Sequence, residues 1–324
     1  MKLKHYRHRR NQQRTPEPTR SRLVNLDNGV ESPSPSPSSA SAGNDCYQTA
    51  PLKGFANSAL PWEGCISRKP WEYRITATLA VIDPGDSLDI VIELLRAQTE
   101  RPYIIIVDTG SKFENLLHLY HRFYADEDVE IHALRSRAWR HSSAPVGAAL
   151  DLALAACHSA FLYATHDDVF LKRRDYLANL LAIQQQEQSI AVGYEMSSRE
   201  WLTDQWSGMV SHTATLFHVP TLLRIGASWS FERAHFQFDV SRSTQGWPDT
   251  ETAFGLLLKS LGIKPVLIGH ETNFERFEDE NLIHCRSHTG SKLYSPEHHR
   301  RSSEWILGAI ADSQKRLSDW REIL

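Results

Sequence analysis

Two short apolar runs, residues 103–107 (YIIIV) and 161–164 (FLYA), stop abruptly at acids: Asp108 after the first, and Asp167 and Asp168, following His166, after the second. A continuous apolar run without alternation is what a strand covered on both faces looks like, and such a strand needs a helix layer above and below it. The neighbouring segments supply those helices. Residues 75–82 read as a strand closed by the turn Asp83-Pro84-Gly85-Asp86. Ser87 is placed to cap a helix that carries Leu88, Ile90, Val91, Leu94 and Leu95 on one face. Helices are further expected over 113–124, 146–156 and 174–184, and a strand over 129–134. This alternation predicts an α/β fold: a mostly parallel sheet with helices on both faces.

Beyond residue 191 the pattern becomes mixed. A strand is expected over 213–217, a short helix over 220–225 and a strand over 264–268. An amphipathic helix is expected over 250–261, with Ala253, Phe254, Leu257 and Leu261 as its apolar face. Trp201, Trp206, Trp229 and Trp247 fall in or near loops. A final helix over 303–324 carries Trp305, Ile306, Ile310, Leu317, Trp320 and Leu324 at helical spacing. Such a stripe packs on its own domain, on a second subunit or on a membrane surface, and self-packing is the commoner use.

Three segments follow: a tail over 1–68, a globular domain over 69–300 and the helix over 301–324. In the tail, eight Lys and Arg residues up to Arg22 face the single acid Glu17, and Ser32 opens the run SPSPSPSS. A segment of that composition buries too little apolar surface to order itself. The net charge of -3 gives the whole chain no preference for nucleic acid or an anionic membrane. The four cysteines lack C-x-x-C spacing, which fits a reduced, cytoplasmic setting without a zinc site. No run reaches the ~18 apolar residues of a membrane-spanning helix, so any membrane contact is expected to be peripheral.

Acids at the carboxyl ends of parallel strands share one edge, where open α/β sheets bind ligands. Asp108 and Asp168 both qualify. Each also has a plainer reading, as a turn or capping residue. Glu251 begins the amphipathic helix with Asp249 two residues earlier, and a first-turn acid is favoured by the helix dipole whatever else it does. His288 lies in S-H-T-G-S downstream of the last strand.

In this order, residues 75–294 resemble the family 2 glycosyltransferases, inverting enzymes of the Rossmann-like GT-A fold. The stretch ITATLAVIDPGDSLDIVIELLRAQTERPYIIIVDTGS is similar to the family's opening strand, helix and second strand. VGAALDLALAACHSAFLYATHDDV is similar to its glycine-led helix and Asp-x-Asp strand. The resemblance implies transfer from a nucleotide-diphosphate sugar to a saccharide or lipid-linked acceptor, assisted by Mn²⁺ or Mg²⁺. It implies that Asp108 contacts the nucleotide and that Asp168, with His166 and His288, holds the cation. Asp167 and Asp151 would approach the donor, and Glu251, with Asp249 as its rival, would be the general base.

Four positions depart from the pattern. His166 stands for the first Asp of Asp-x-Asp, Thr109 for the second acid of V-D-D-G-S, and Thr250-Glu251 for the Glu-Asp pair. The acceptor-side Arg has no counterpart. His284, His270 and His298 compete with His288, and Trp206, Trp229 and Trp247 are candidates either to stack on sugar rings or to pack. Two rival readings are a sugar-phosphate nucleotidyltransferase, disfavoured because no Gly-rich phosphate loop follows the first strand, and a non-catalytic sugar-binding scaffold.

Overall fold

The computed structural model describes residues 68–134, 144–195, 208–230, 250–271, 276–285 and 296–322, all within one compact unit, Asp45–Leu324. The strands are β1 (Ile75–Val81), β2 (Tyr103–Asp108), β3 (Val129–Ala133), β4 (Phe161–His166), β5 (Val169–Leu171), β6 (Ala191–Glu195), β7 (Thr215–His218), β8 (Val266–His270), β9 (Phe277–Glu278) and β10 (Leu282–His284). The helices are α1 (Ser87–Arg96), α2 (Phe113–Phe123), α3 (Ala144–Ala156), α4 (Tyr176–Glu187), α5 (Val219–Ile225), α6 (Thr250–Ser260) and α7 (Pro296–Glu322). The expected tail over 1–68 lies outside the described residues, apart from Arg68.

Seven strands form one sheet in the order β3-β2-β1-β4-β7-β6-β8, and β5-β10-β9 form a second, smaller one. The large sheet is mostly parallel, as the βα alternation predicts. The exception is β7, which pairs antiparallel with both β4 and β6.

Strand periodicity sorts the core into two layers. Ile75, Ala77, Leu79 and Val81 of β1, with Ile104 and Ile106 of β2, face the layer built from α1, α2, α4, α7 and the small sheet. Tyr103, Ile105 and Val107, with Leu162 and Ala164 of β4, face α3, α5 and α6. Both faces are covered, so β2 is buried throughout, and β1 and β4 are buried but for the half-buried Ala80 and His166, as their apolar runs require.

Local details differ from the sequence expectation for physical reasons. α1 does begin at Ser87, but its cap position is Asp86, and no side chain there bonds the helix. On α6, Leu258 is buried while Leu261 is 49% exposed, because the helix ends at Ser260 and Leu261 enters the turn at Gly262 (φ 67°). Lys172 and Arg174, in a run of three basic residues that reads as a solvated face, are instead held in place. Lys172 Nζ donates to Glu278 Oε1 (3.1 Å) and the Asp279 carbonyl (2.5 Å), and Arg174 Nε donates to the Ala97 carbonyl (3.1 Å).

The apolar stripe of α7 turns inward. Ile306, Ala309 and Leu317 are buried in the layer that holds α1, and Trp305, Ile310 and Trp320 pack against it. Among the described residues, no helix is long and apolar enough to cross a membrane.

Candidate functional site

The sheet order reverses direction between β1 and β4: β2 and β3 lie to one side of β1, β4 to the other. In an open α/β sheet the crevice at such a switch point, beyond the carboxyl ends of the strands, is where ligands bind. Asp108 pairs with Val81 at the end of β1, and His166 pairs with Ala80 from the opposite side. Two strand spacings of about 4.8 Å put Asp108 and His166 roughly 10 Å apart across the crevice.

The loops on this edge are tightly held. Thr109, where the resembled pattern has an acid, donates its N–H (2.8 Å) and its hydroxyl (3.0 Å) to the Val81 carbonyl, locking β2 to β1. Asp83 Oδ1 accepts from the Lys112 N–H (2.8 Å) and Asn115 Nδ2 (2.7 Å), and the Asp83 N–H donates to Ser111 Oγ (2.6 Å). Asp108 is 1% exposed. Its Oδ1 accepts from the backbone N–H groups of Gly110 and Ser111, both at 3.0 Å. Gly110 has φ 128°, which suits glycine and allows this turn. Its other oxygen, Oδ2, is buried without a hydrogen-bond partner among the described residues. Burial pushes the Asp108 carboxyl above its ordinary range, and its bonds to Ser111 and Gly110 offset this only in part.

Across the crevice, Asp167 and Asp168 form the turn from β4 into β5, which passes the chain from the large sheet to the small one. Both are buried. β10 pairs with β5 so that His284 lies opposite Val169, and the Cys285 N–H donates to the Asp168 carbonyl (2.9 Å). His284 Nε2 faces Asp168 Oδ1 at 3.7 Å, and its Nδ1 faces Glu271 Oε1 at 3.2 Å. His166 Nε2 meets His212 Nε2 at 2.8 Å, with the rings edge to face. Among the described residues, no three His, Cys, Asp or Glu side chains group as a ready-made metal cage.

Glu251 lies in the first turn of α6. This helix leads through 261–265 into β8, which runs parallel to β6, so α6 runs against the parallel strands and its N-terminus is directed to their carboxyl edge. The topology therefore brings Asp108, His166, Asp167, Asp168 and the start of α6 to one edge. Asp249 and His288 lie outside the described residues, as do Trp206 and Trp247.

Asp151 and Trp229 are engaged with each other and with the core. Asp151 Oδ2 accepts from Ser228 Oγ (2.6 Å) and Oδ1 from the Trp229 N–H (2.8 Å), clamping the 228–230 segment onto α3. Gly147 permits that approach, since a Cβ there would stand 2.4 Å from the Trp229 carbonyl oxygen. Trp229 is 1% exposed, stacked on Phe254 with centroids 5.0 Å apart and edge-on to Phe217. It is a core residue and not a sugar platform.

Sequence reasoning missed Glu271, His212 and the place of His284. Glu271 follows the exposed His270 in an unremarkable G-H-E triplet, and His212 sits in a turn. The pairing of β10 with β5 is what brings His284 to Asp168.

No family model matches the chain, and no curated protein matches it. Among solved structures, the mannosyltransferase PcManGT from Pyrobaculum calidifontis, in complex with GDP-Man and Mn²⁺, overlays with a TM-score of 0.45 at 13% identity, covering 80% of each chain. S. aureus TarS overlays with a TM-score of 0.43 at 11% identity, covering 76% of this chain and 42% of that one. TarS 1–349 in complex with UDP-GlcNAc gives 0.41 at 10% identity, over 76% and 71%.

Proposed function

We propose that the chain is an inverting glycosyltransferase that moves a sugar from a nucleotide-diphosphate donor to a hydroxyl of a saccharide or lipid-linked acceptor. The observation that carries this reading is Asp108. A buried acceptor oxygen at the mouth of a switch point is costly unless something donates to it. The N–H of a nucleobase or the hydroxyl of a ribose is such a donor, and the bonds to Gly110 and Ser111 preset the carboxylate for it.

Asp168 suits a divalent cation. Mg²⁺ and Mn²⁺ at nucleotide sites take one or two protein carboxylates and complete their shell with phosphate oxygens and water, so a single buried acid at the turn beyond β4 is an adequate anchor. When bound there, the cation supplies positive charge to the departing diphosphate. Asp167 and His166 flank that anchor. His166 Nε2 is already directed at His212, so His166 is the weaker ligand of the two.

In the transfer itself, Glu251 takes the proton of the acceptor hydroxyl as that oxygen bonds to the anomeric carbon. The bond from the anomeric carbon to the diphosphate breaks on the opposite face, and its electron pair leaves with the nucleotide diphosphate. Asp249 is the rival for the base.

The test is a thermal-shift screen of the full chain with nucleotide-diphosphate sugars, with and without Mn²⁺. A donor at a hundredfold excess over its Kd adds about 2.7 kcal/mol to apparent stability. We expect a shift of several degrees for one nucleotide class, larger with Mn²⁺. No shift with any donor would favour the non-catalytic scaffold.

A further inference from the structure

We propose that Glu271 is a positioning residue for the candidate cation site, acting through His284 on Asp168. The inference rests on the nucleotide-sugar reading and names a part of the site that neither the sequence nor the resemblance indicates.

Glu271 is 0% exposed, His284 6% and Asp168 5%, and His284 lies between the two acids. Glu271 Oε1 is 3.2 Å from His284 Nδ1, and His284 Nε2 is 3.7 Å from Asp168 Oδ1. They come from three elements remote in sequence: the residue after β8, the end of β10 and the turn after β4. A fully buried carboxylate costs folding free energy, so a side chain of this kind is rarely there for stability alone.

The geometry is directional. A carboxylate accepts, so Nδ1 of His284 is the donor toward Glu271. In the neutral ring this leaves the lone pair on Nε2, and Nε2 faces Asp168. The 3.7 Å separation is too long for a hydrogen bond. His284 Nε2 and the Asp168 carboxylate would instead hold a cation between them, its shell completed by phosphate oxygens and water. A carboxylate behind a ligating imidazole fixes its tautomer and orientation, and loss of such a partner typically costs 10–100-fold in metal affinity. Glu271 thus aims His284, and His284 faces the Asp168 carboxylate where the donor diphosphate is to arrive.

The experiment uses the full chain and Mn²⁺ alone, followed by the loss of the free Mn²⁺ paramagnetic resonance signal on binding, with thermal melts in chelator as the fold control. Glu271→Leu keeps the volume and removes the acceptor, whereas Glu271→Gln keeps one acceptor oxygen. We expect both to melt within a few degrees of the parent. We expect Mn²⁺ affinity to fall 10–100-fold in Glu271→Leu, and by less in Glu271→Gln. Wild-type Mn²⁺ affinity in a folded Glu271→Leu overturns the proposal. So does loss of the fold in both variants, since Glu271 is then a structural residue. If the parent chain itself binds no Mn²⁺ although a nucleotide sugar still shifts its melting, the proposal falls while the donor reading stands. If neither binds, the donor reading falls first.

Discussion

Replacing Asp151 separates the two roles open to it, clamp and donor contact. Asp151→Ala deletes the acceptors of the Ser228 hydroxyl (2.6 Å) and the Trp229 N–H (2.8 Å). Hydrogen bonds to a charged group contribute about 1.5–3 kcal/mol each; because Asp151 is only partly buried, we take the lower end, about 3 kcal/mol for the pair. The loss propagates, because the Trp229 ring tethered by this bond fills the space between Phe217 and Phe254. At about 2–4 °C per kcal/mol for a domain of this size, the melting temperature should drop by roughly 6–12 °C. Asp151→Asn keeps a single carbonyl acceptor and should lose about half as much. The assay is a thermal melt followed by circular dichroism, run beside a titration with whichever nucleotide sugar stabilises the parent. A clamp predicts a lowered melt and near-parental donor affinity below the new midpoint. An unchanged melt with donor affinity reduced tenfold or more would refute the clamp and return Asp151 to the donor.

Three further outcomes are expected. Asp168→Ala should abolish sugar transfer while leaving the melting temperature within a few degrees; full activity in that variant removes Asp168 from the cation site. Glu251→Gln should bind donor normally and lose turnover, and if Asp249→Asn is the inactive variant instead, the base lies two residues earlier. The third concerns acid stability. Burial raises the Asp128 carboxyl, but hydrogen bonds and charge attraction from Arg96 and Arg101 outweigh burial and hold it below its ordinary value of 3.8. A depressed folded pKa gives stability that is fully present above the unfolded value near 3.9 and is lost as pH falls through the lower folded one. Asp128→Asn should therefore lower stability at pH 7 and flatten the acid limb below about pH 4 in urea melts.

The first half of the fold was legible because its signals are redundant. β1, β2 and β4 are apolar runs buried on both faces, and α1 repeats leucine and isoleucine at helical spacing between two of them. The small sheet was not legible. β5, β9 and β10 have three, two and three residues, too few to show a period, and β5 exists as a strand because β10 arrives from more than a hundred positions away to pair with it. The site divides in the same way. Asp108 and Asp168 could be placed at the sheet edge because one closes and the other closely follows a readable strand. Glu271, His284 and His212 could not, since their relevance lies in long-range pairing. Trp229 shows the converse: a tryptophan near glycines and serines looks like a binding residue until Gly147 is seen to let α3 close over it.

The inward stripe of α7 has a consequence for how the chain is made. α7 is bonded to elements far behind it: Arg321 reaches Glu93 across 228 residues, and Arg316 reaches the Leu171 carbonyl across 145. Contacts of such separation close slowly, because a long loop must be ordered before any burial rewards it. During synthesis, α1 emerges early, and the side of it that packs on α7 stays open until that helix leaves the ribosome. That interval is a window for chaperone binding or aggregation. A chain cut short before Pro296 would keep Asp108, Asp168 and Glu251 and still lack the helix that buries Ile306, Ala309 and Leu317 in the layer of α1.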